Sequence, residues 1–156
     1  MSTSRTLKTA TDQTSAQYLA DSVVQAYLSL TSGDHSLIKP LYTDDVYFED
    51  PSHGIQGKAS LMKYFANISR NMDQCTFKFH RTLTTDTEVF LTWTMIFSHQ
   101  RLAGGETIRV EGSSFLKTRN GKIYYHRNYF DMGSMVYENL PIVGRIIKKI
   151  RLRLGQ

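Results

Sequence analysis

The sequence predicts an α+β domain in which a curved antiparallel sheet wraps around N-terminal helices. Three observations carry this. Apolar residues recur at helical spacing as far as about residue 71. After Met72 they alternate, one face and then the other, in successive long runs. The runs are broken by turn signals, of which Asn120-Gly121 is the strongest two-residue hairpin signature. Helices first and a meander afterwards is the α+β pattern. A sheet curved around helices leaves a conical cavity between the two layers.

Taken in order, residues 1–13 are rich in Ser and Thr, contain no long apolar stretch and read as a flexible tail. The domain proper runs from 14 to 132. A first helix spans about Thr14 to Ser32, with Leu19, Val23, Tyr27 and Leu30 on one face. Asp12 or Thr14 can cap it, and Gly33 ends it. A short helix follows toward Leu41, and another from Lys58 to Asn71 with Leu61, Tyr64, Phe65 and Ile68 inward. Four strands come next: Cys75 to Leu83, Thr87 to His99, Glu106 to Thr118 and Lys122 to Met132. In the first, Phe77, Phe79 and Leu83 share a side. In the second, Val89, Leu91, Trp93, Met95 and Phe97 do, unless a one-residue slip exchanges its faces. Residues 133–156 form an extension with a basic amphipathic helix.

The 156 residues suit one domain with one core. Cys75 is the single cysteine, which excludes an internal disulfide and a cysteine metal cluster. The five histidines are scattered, with no pair at zinc spacing, so no metal and no cofactor are expected. No run is long enough to cross a bilayer, and a cytoplasmic protein is the simplest reading. Arg145, Lys148, Lys149, Arg151 and Arg153 account for the whole net charge of +5. The rest of the chain is balanced, which argues against a nucleic-acid surface.

The stretch Tyr42 to Lys58, YTDDVYFEDPSHGIQGK, carries the candidate chemistry. A short strand ends in Glu49 and Asp50, which alternation sends to opposite faces. Pro51 holds Asp50 extended and stops the strand. A carboxylate at a strand end, on the lip of a covered sheet, is placed to act as a general base. The competing reading is a turn-forming Asp-Pro pair.

With these elements in view, the chain resembles the nuclear transport factor 2-like superfamily, in particular SnoaL-like and ketosteroid-isomerase-like domains, built as a cystatin-like roll. The resemblance rests on AYLSLTSGD (Ala26 to Asp34), LYTDDVYFEDP (Leu41 to Pro51), HGIQGK (His53 to Lys58) and NGKIYYHRNYFD (Asn120 to Asp131). It covers 14–132. It implies a buried pocket for an apolar small molecule such as a steroid, a polyketide or a lipid-like compound. It implies isomerase or cyclase chemistry by proton transfer, or a non-catalytic binding or assembly module of the same fold. It also implies a homodimer. By position, Asp50 matches the family's base, Tyr27 its oxyanion-donating tyrosine and Phe130 an aromatic near the end of the last strand. The second oxyanion donor of ketosteroid isomerases is a protonated Asp. That position falls on Ser113, a weaker donor.

Hairpin geometry extends the set. If Asn120-Gly121 is the two-residue loop, Ser113 lies opposite Asn128, Phe115 opposite His126 and Glu111 opposite Phe130. All six then share the cavity face. Asp50, Tyr27 and His126 become the candidate catalytic residues, His126 acting with Asn128 to position the ligand. Phe48, Trp93, Glu111, Ser113, Phe115, Asn128 and Phe130 become the candidate ligand-binding residues. Burial beside Phe48 and Phe130 is expected to raise the pKa of Asp50. Tyr125 and Tyr129, on the outer face, offer an apolar surface for the dimer.

Leu140 to Leu154, LPIVGRIIKKIRLRL, repeats Ile142, Ile146, Ile150 and Leu154 every fourth residue, and Gly155 is a natural stop. Two readings stand open: the helix packs on protein, or it lies on an anionic membrane surface and makes the protein peripheral.

Overall fold

The computed structural model describes residues 4–72 and 74–154, with side chains from residue 16 onward. The expected caps at Asp12 and Thr14 are side chains outside that range, and the Gly155 stop also lies outside it. Helix α1 (Ser4–Leu30) begins at Ser4 rather than near Thr14. Ala16, Leu19, Ala20, Val23, Ala26, Tyr27 and Leu30 are buried, a stripe of the 3.6-residue period. Strand β1 (Tyr42–Glu49) buries Tyr42, Val46 and Phe48. It pairs with the short β2 (Gly54–Gln56) and leads to α2 (Lys58–Asn71), which buries Leu61 and Phe65. The meander is β3 (Gln74–Thr84), β4 (Glu88–Ser98), β5 (Ile108–Arg119) and β6 (Lys122–Phe130).

The six strands make one sheet in the order β2-β1-β6-β5-β4-β3. Every pairing is antiparallel except β1 with β6, which run parallel. This places the strand carrying Phe48 directly beside the one carrying His126. Helices α1 and α2 cover the inner face, and β4 supplies Val89, Leu91, Trp93, Met95 and Phe97 to the core as expected.

Two bulges correct the expected registers. In β3 the pairing shifts between Phe79 and Arg81, so Leu83 pairs with Phe90 and is exposed instead of joining Phe77 and Phe79. In β6 the hairpin starts as expected, Arg119 opposite Lys122, with Asn120 and Gly121 at φ of 53° and 71°. Tyr124 is then left without a partner. One extra residue on one strand moves every later pair by one. Ser114, not Ser113, faces Asn128; Leu116, not Phe115, faces His126; Gly112, not Glu111, faces Phe130.

After β6 the chain forms α3 (Met132–Met135), capped by Asp131, whose Oδ1 accepts from the Gly133 and Ser134 amides. A short 3-10 turn, Tyr137–Asn139, leads to α4 (Val143–Leu154).

Candidate functional site

Between the helices and the sheet lies a cavity of about 100 Å³. Its walls are mostly apolar: Leu30, Phe48, Phe65, Phe77, Trp93, Met95, Phe130 and Met135 among them. Its polar lining includes Tyr27, Asp50, Tyr64 and Asn128. Each arrives from a different element, α1, the end of β1, α2 and β6.

Strand alternation separates the two adjacent carboxylates. Glu49 turns outward, where the Tyr125 hydroxyl donates to it and Arg127 lies 3.4 Å away. Asp50 turns inward, and its side chain is only 2% exposed. Its Oδ1 accepts from the Ser52 amide at 2.8 Å, the His53 amide at 2.8 Å and the Ser52 hydroxyl at 3.0 Å. Its Oδ2 accepts from the Tyr64 hydroxyl. One oxygen organises the Asp-Pro turn, and the other meets the cavity beside Tyr64.

The expected rise in the Asp50 pKa is overturned. Burial does press the carboxyl upward, as anticipated. The hydrogen bonds from Tyr64, Ser52 and His53 outweigh it, because they favour the charged form, and the pKa falls below the usual value. The proton of that contact stays on Tyr64, whose pKa is raised by burial and by the Asp50 charge.

Behind the cavity runs a buried chain of polar groups whose proton directions follow from one donor. The Trp93 indole N–H can only donate. It gives its hydrogen to Ser114 Oγ at 2.9 Å, and Ser114 in turn donates to Asn128 Oδ1 at 2.6 Å. Asn128 Oδ1 is therefore an acceptor facing His126 Nε2 at 2.9 Å, so Nε2 carries the hydrogen. His126 is fully buried, and burial pulls its pKa down to about 4, so the ring is neutral. Its Nδ1 is left to accept from the Tyr42 hydroxyl at 2.8 Å. The Tyr27 hydroxyl sits 3.2 Å from Nε2, which has no lone pair to offer it. Tyr27 and Asn128, the two donors at this end of the chain, both line the cavity. Burial raises the Tyr27 pKa and keeps the phenol protonated.

Of the sequence candidates, Tyr27, Phe48, Asp50, Trp93, Asn128 and Phe130 line the cavity together. His126 does not reach it; it orients Tyr42 and Asn128 from behind. Glu111, Ser113 and Phe115 are displaced to the other face by the Tyr124 bulge. Glu111 is exposed, bonded by Arg109 and Thr94. Phe115 packs edge-on against Tyr125. Sequence reasoning missed Ser114, Tyr42 and Tyr64 as site residues. Tyr64 carried a signal, since its helix face was read correctly. Gly112 carried another: it pairs with Trp93, and a Cβ there would overlap the indole.

Cys75 also lines the cavity, but burial pushes its thiol up to about 11, which removes it as a nucleophile near neutral pH. Among the described residues, no group of three or more His, Cys, Asp and Glu side chains is gathered for a metal ion.

A family model for the SnoaL-like domain matches residues 23–126. Solved structures share the fold at low identity. An NTF2-like protein from Anabaena variabilis superposes with a TM-score of 0.67 at 17% identity, over 75% of this chain and 90% of that one. A protein named as a SnoaL-like polyketide cyclase, from Jannaschia sp. CCS1, gives 0.67 at 8% identity, over 77% and 90%. An LEH-like epoxide hydrolase from M. tuberculosis gives 0.64 at 19% identity, over 92% and 98%. No curated protein matches the sequence.

Proposed function

The chain belongs to the SnoaL-like domain family, and from that premise we propose that its cavity binds an apolar small molecule bearing a carbonyl, with Asp50 as the base that acts on it. The observation that carries this is the polarity of the cavity. Two donors, Tyr27 and Asn128, and one carboxylate, Asp50, meet in a lining that is mostly apolar. A carbonyl oxygen accepts from the donors, and a proton next to that carbonyl lies toward the carboxylate.

The volume narrows the ligand. About 100 Å³ is well below the roughly 300–1,000 Å³ of drug-sized sites. It favours a short polyketide-like or slender lipid-like molecule over a fused-ring steroid. The lowered pKa of Asp50 narrows the chemistry. The carboxylate is charged at neutral pH and ready to accept a proton, but it is a weak base. It suits an already acidic C–H, such as one flanked by two carbonyls, and the resulting enolate oxygen is held by Tyr27 and Asn128. This is isomerase- or cyclase-type proton transfer.

The test is exchange of that C–H for deuterium in heavy water, followed by NMR with a short β-diketone. The wild type exchanges it faster than buffer. Asp50→Asn keeps the turn, since one side-chain oxygen remains for the Ser52 and His53 amides, and loses exchange while retaining binding. A second reading, binding without turnover, is favoured by the full set of hydrogen bonds on Asp50. It predicts saturable binding with no exchange in either protein.

The outer sheet face supports a homodimer in the same reading. Tyr47 and Tyr129 are exposed there, and Tyr47 stacks on Tyr125. Sedimentation of only a ~18 kDa species at micromolar concentration, set by the 17.9 kDa chain, would remove the dimer.

A further inference from the structure

We propose that α4 is a docking element for an anionic lipid bilayer, with its row of isoleucines entering the surface and its lysines and arginines lying at the level of the headgroups. The inference is independent of what the cavity binds.

Four facts meet in this helix. First, its apolar row is not covered by the domain. Ile142 just before it is 77% exposed, Ile146 56%, Ile150 52% and Leu154 82%. Residues four apart on a helix drift by only about 40°, so these side chains and Val143 form one stripe. Second, the charge complements an anionic surface. Arg145, Lys148, Lys149, Arg151 and Arg153 supply the whole net charge, and 143–154 contains no acidic residue. Third, among the described residues only Arg151 of these five has acidic partners, Glu138 and Asp131. Arg145, Lys149 and Arg153 sit on the flank next to the apolar stripe, where headgroup contact and apolar insertion occur together. Leu152 is the one apolar residue that falls on the cationic side.

Fourth, the helix is fastened in a way that leaves this stripe outward. Gly144 lies so close to the Glu138 carbonyl that any side chain would collide with it. Ile147 is half-buried, and Arg151 reaches back to Asp131 and Glu138. These three occupy one narrow strip of the helix. Asp131 also caps α3, whose Met135 lines the cavity. The same carboxylate therefore ties the docking helix to the cavity wall, and a bilayer under α4 lies beside the cavity.

Among the described residues no helix is long and apolar enough to cross a membrane, so the mode is lying on the surface. Each cation near an anionic leaflet multiplies affinity about fivefold. Removing Lys149 and Arg153 together therefore costs about 25-fold. Salt weakens the attraction, because the screening length shortens from about 8 Å at 0.15 M to about 3 Å at 1 M.

The experiment is co-sedimentation of the full chain with phosphatidylcholine vesicles and with vesicles of phosphatidylcholine and phosphatidylglycerol at a 7:3 ratio. Melting temperature and sedimentation velocity are recorded for every variant. Binding at least tenfold tighter to the anionic vesicles, lost by about 25-fold in Lys149→Gln/Arg153→Gln and lost also in Ile146→Asn/Ile150→Asn with melting unchanged, supports the proposal. Equal partition of the wild type onto both vesicles, or no binding to either, overturns it. So does an isoleucine variant that changes the oligomeric state and leaves lipid binding intact, since the stripe then belongs to a second copy of the chain.

Discussion

His126 makes the stability of this fold depend on pH between about 6.5 and 4. In the folded chain its pKa is about 4, against 6.5 for the exposed side chain. Burial disfavours the charged ring, so the unfolded chain takes up the proton first as pH falls. Stability is therefore complete above about pH 6.5 and is lost as pH drops toward 4. At 1.36 kcal/mol per pH unit, the gap amounts to about 3 kcal/mol below pH 4, and about 2 kcal/mol of it has been lost by pH 5. For a domain of this size that is a fall in Tm of roughly 4–8 °C between pH 7.5 and 5. The carboxylates held below their usual range, Asp34, Asp44, Asp45, Asp50 and Glu111, have ordinary values of 3.8 to 4.5 and give up their contributions mainly below about pH 5. The assay is urea unfolding at intervals from pH 7.5 to 4.5, for the wild type and His126→Gln. The glutamine keeps a donor for Asn128 and an acceptor for Tyr42 but takes up no proton. It is expected to be less stable at pH 7.5 and nearly flat with pH. A wild type equally stable at pH 7.5 and 5, or a variant with the wild-type slope, refutes the buried neutral imidazole.

Two further predictions test the register and the packing beneath it. Ser114→Ala leaves the Trp93 N–H without its acceptor and removes a donor from Asn128, costing about 1–3 kcal/mol; Ser113→Ala, on the other face, stays within about 0.5 kcal/mol. Denaturant midpoints that rank these two the other way contradict the Tyr124 bulge. Gly112→Ala drives a methyl into the Trp93 ring, so a loss of about 1–3 kcal/mol is expected, with a red-shifted indole emission as Trp93 moves toward water. Unchanged emission and stability would show that the two strands do not pack as described.

The fold was legible because its signals are local. Helical spacing in α1 and α2, alternation in β4 and the Asn120-Gly121 turn each follow from a few neighbouring residues. That Glu49 and Asp50 turn to opposite faces was legible for the same reason. What the sequence concealed was non-local. Nothing in Lys122 to His126 announces that Tyr124 is skipped, yet that one residue exchanges Ser113 for Ser114 and sends Glu111 and Phe115 outward. The parallel pairing of β1 with β6, which brings Tyr42 to His126, joins residues 84 apart in the chain. The pKa of Asp50 was read from burial alone. Its sign depends on hydrogen bonds from Ser52, His53 and Tyr64, and only the folded turn brings those donors together.

In the proposed function the cavity reads a carbonyl oxygen through Tyr27 and Asn128. Trp93 is the chain's only tryptophan and its indole lines the cavity, so its fluorescence reports occupancy directly. The measurement is a titration with 2-hexanone and with hexane, for the wild type, Tyr27→Phe and Asn128→Leu. A saturable change with the ketone is expected, at least tenfold weaker in each variant, with much weaker binding of the alkane. Ketone and alkane binding alike, or a ketone titration untouched by both substitutions, would contradict it.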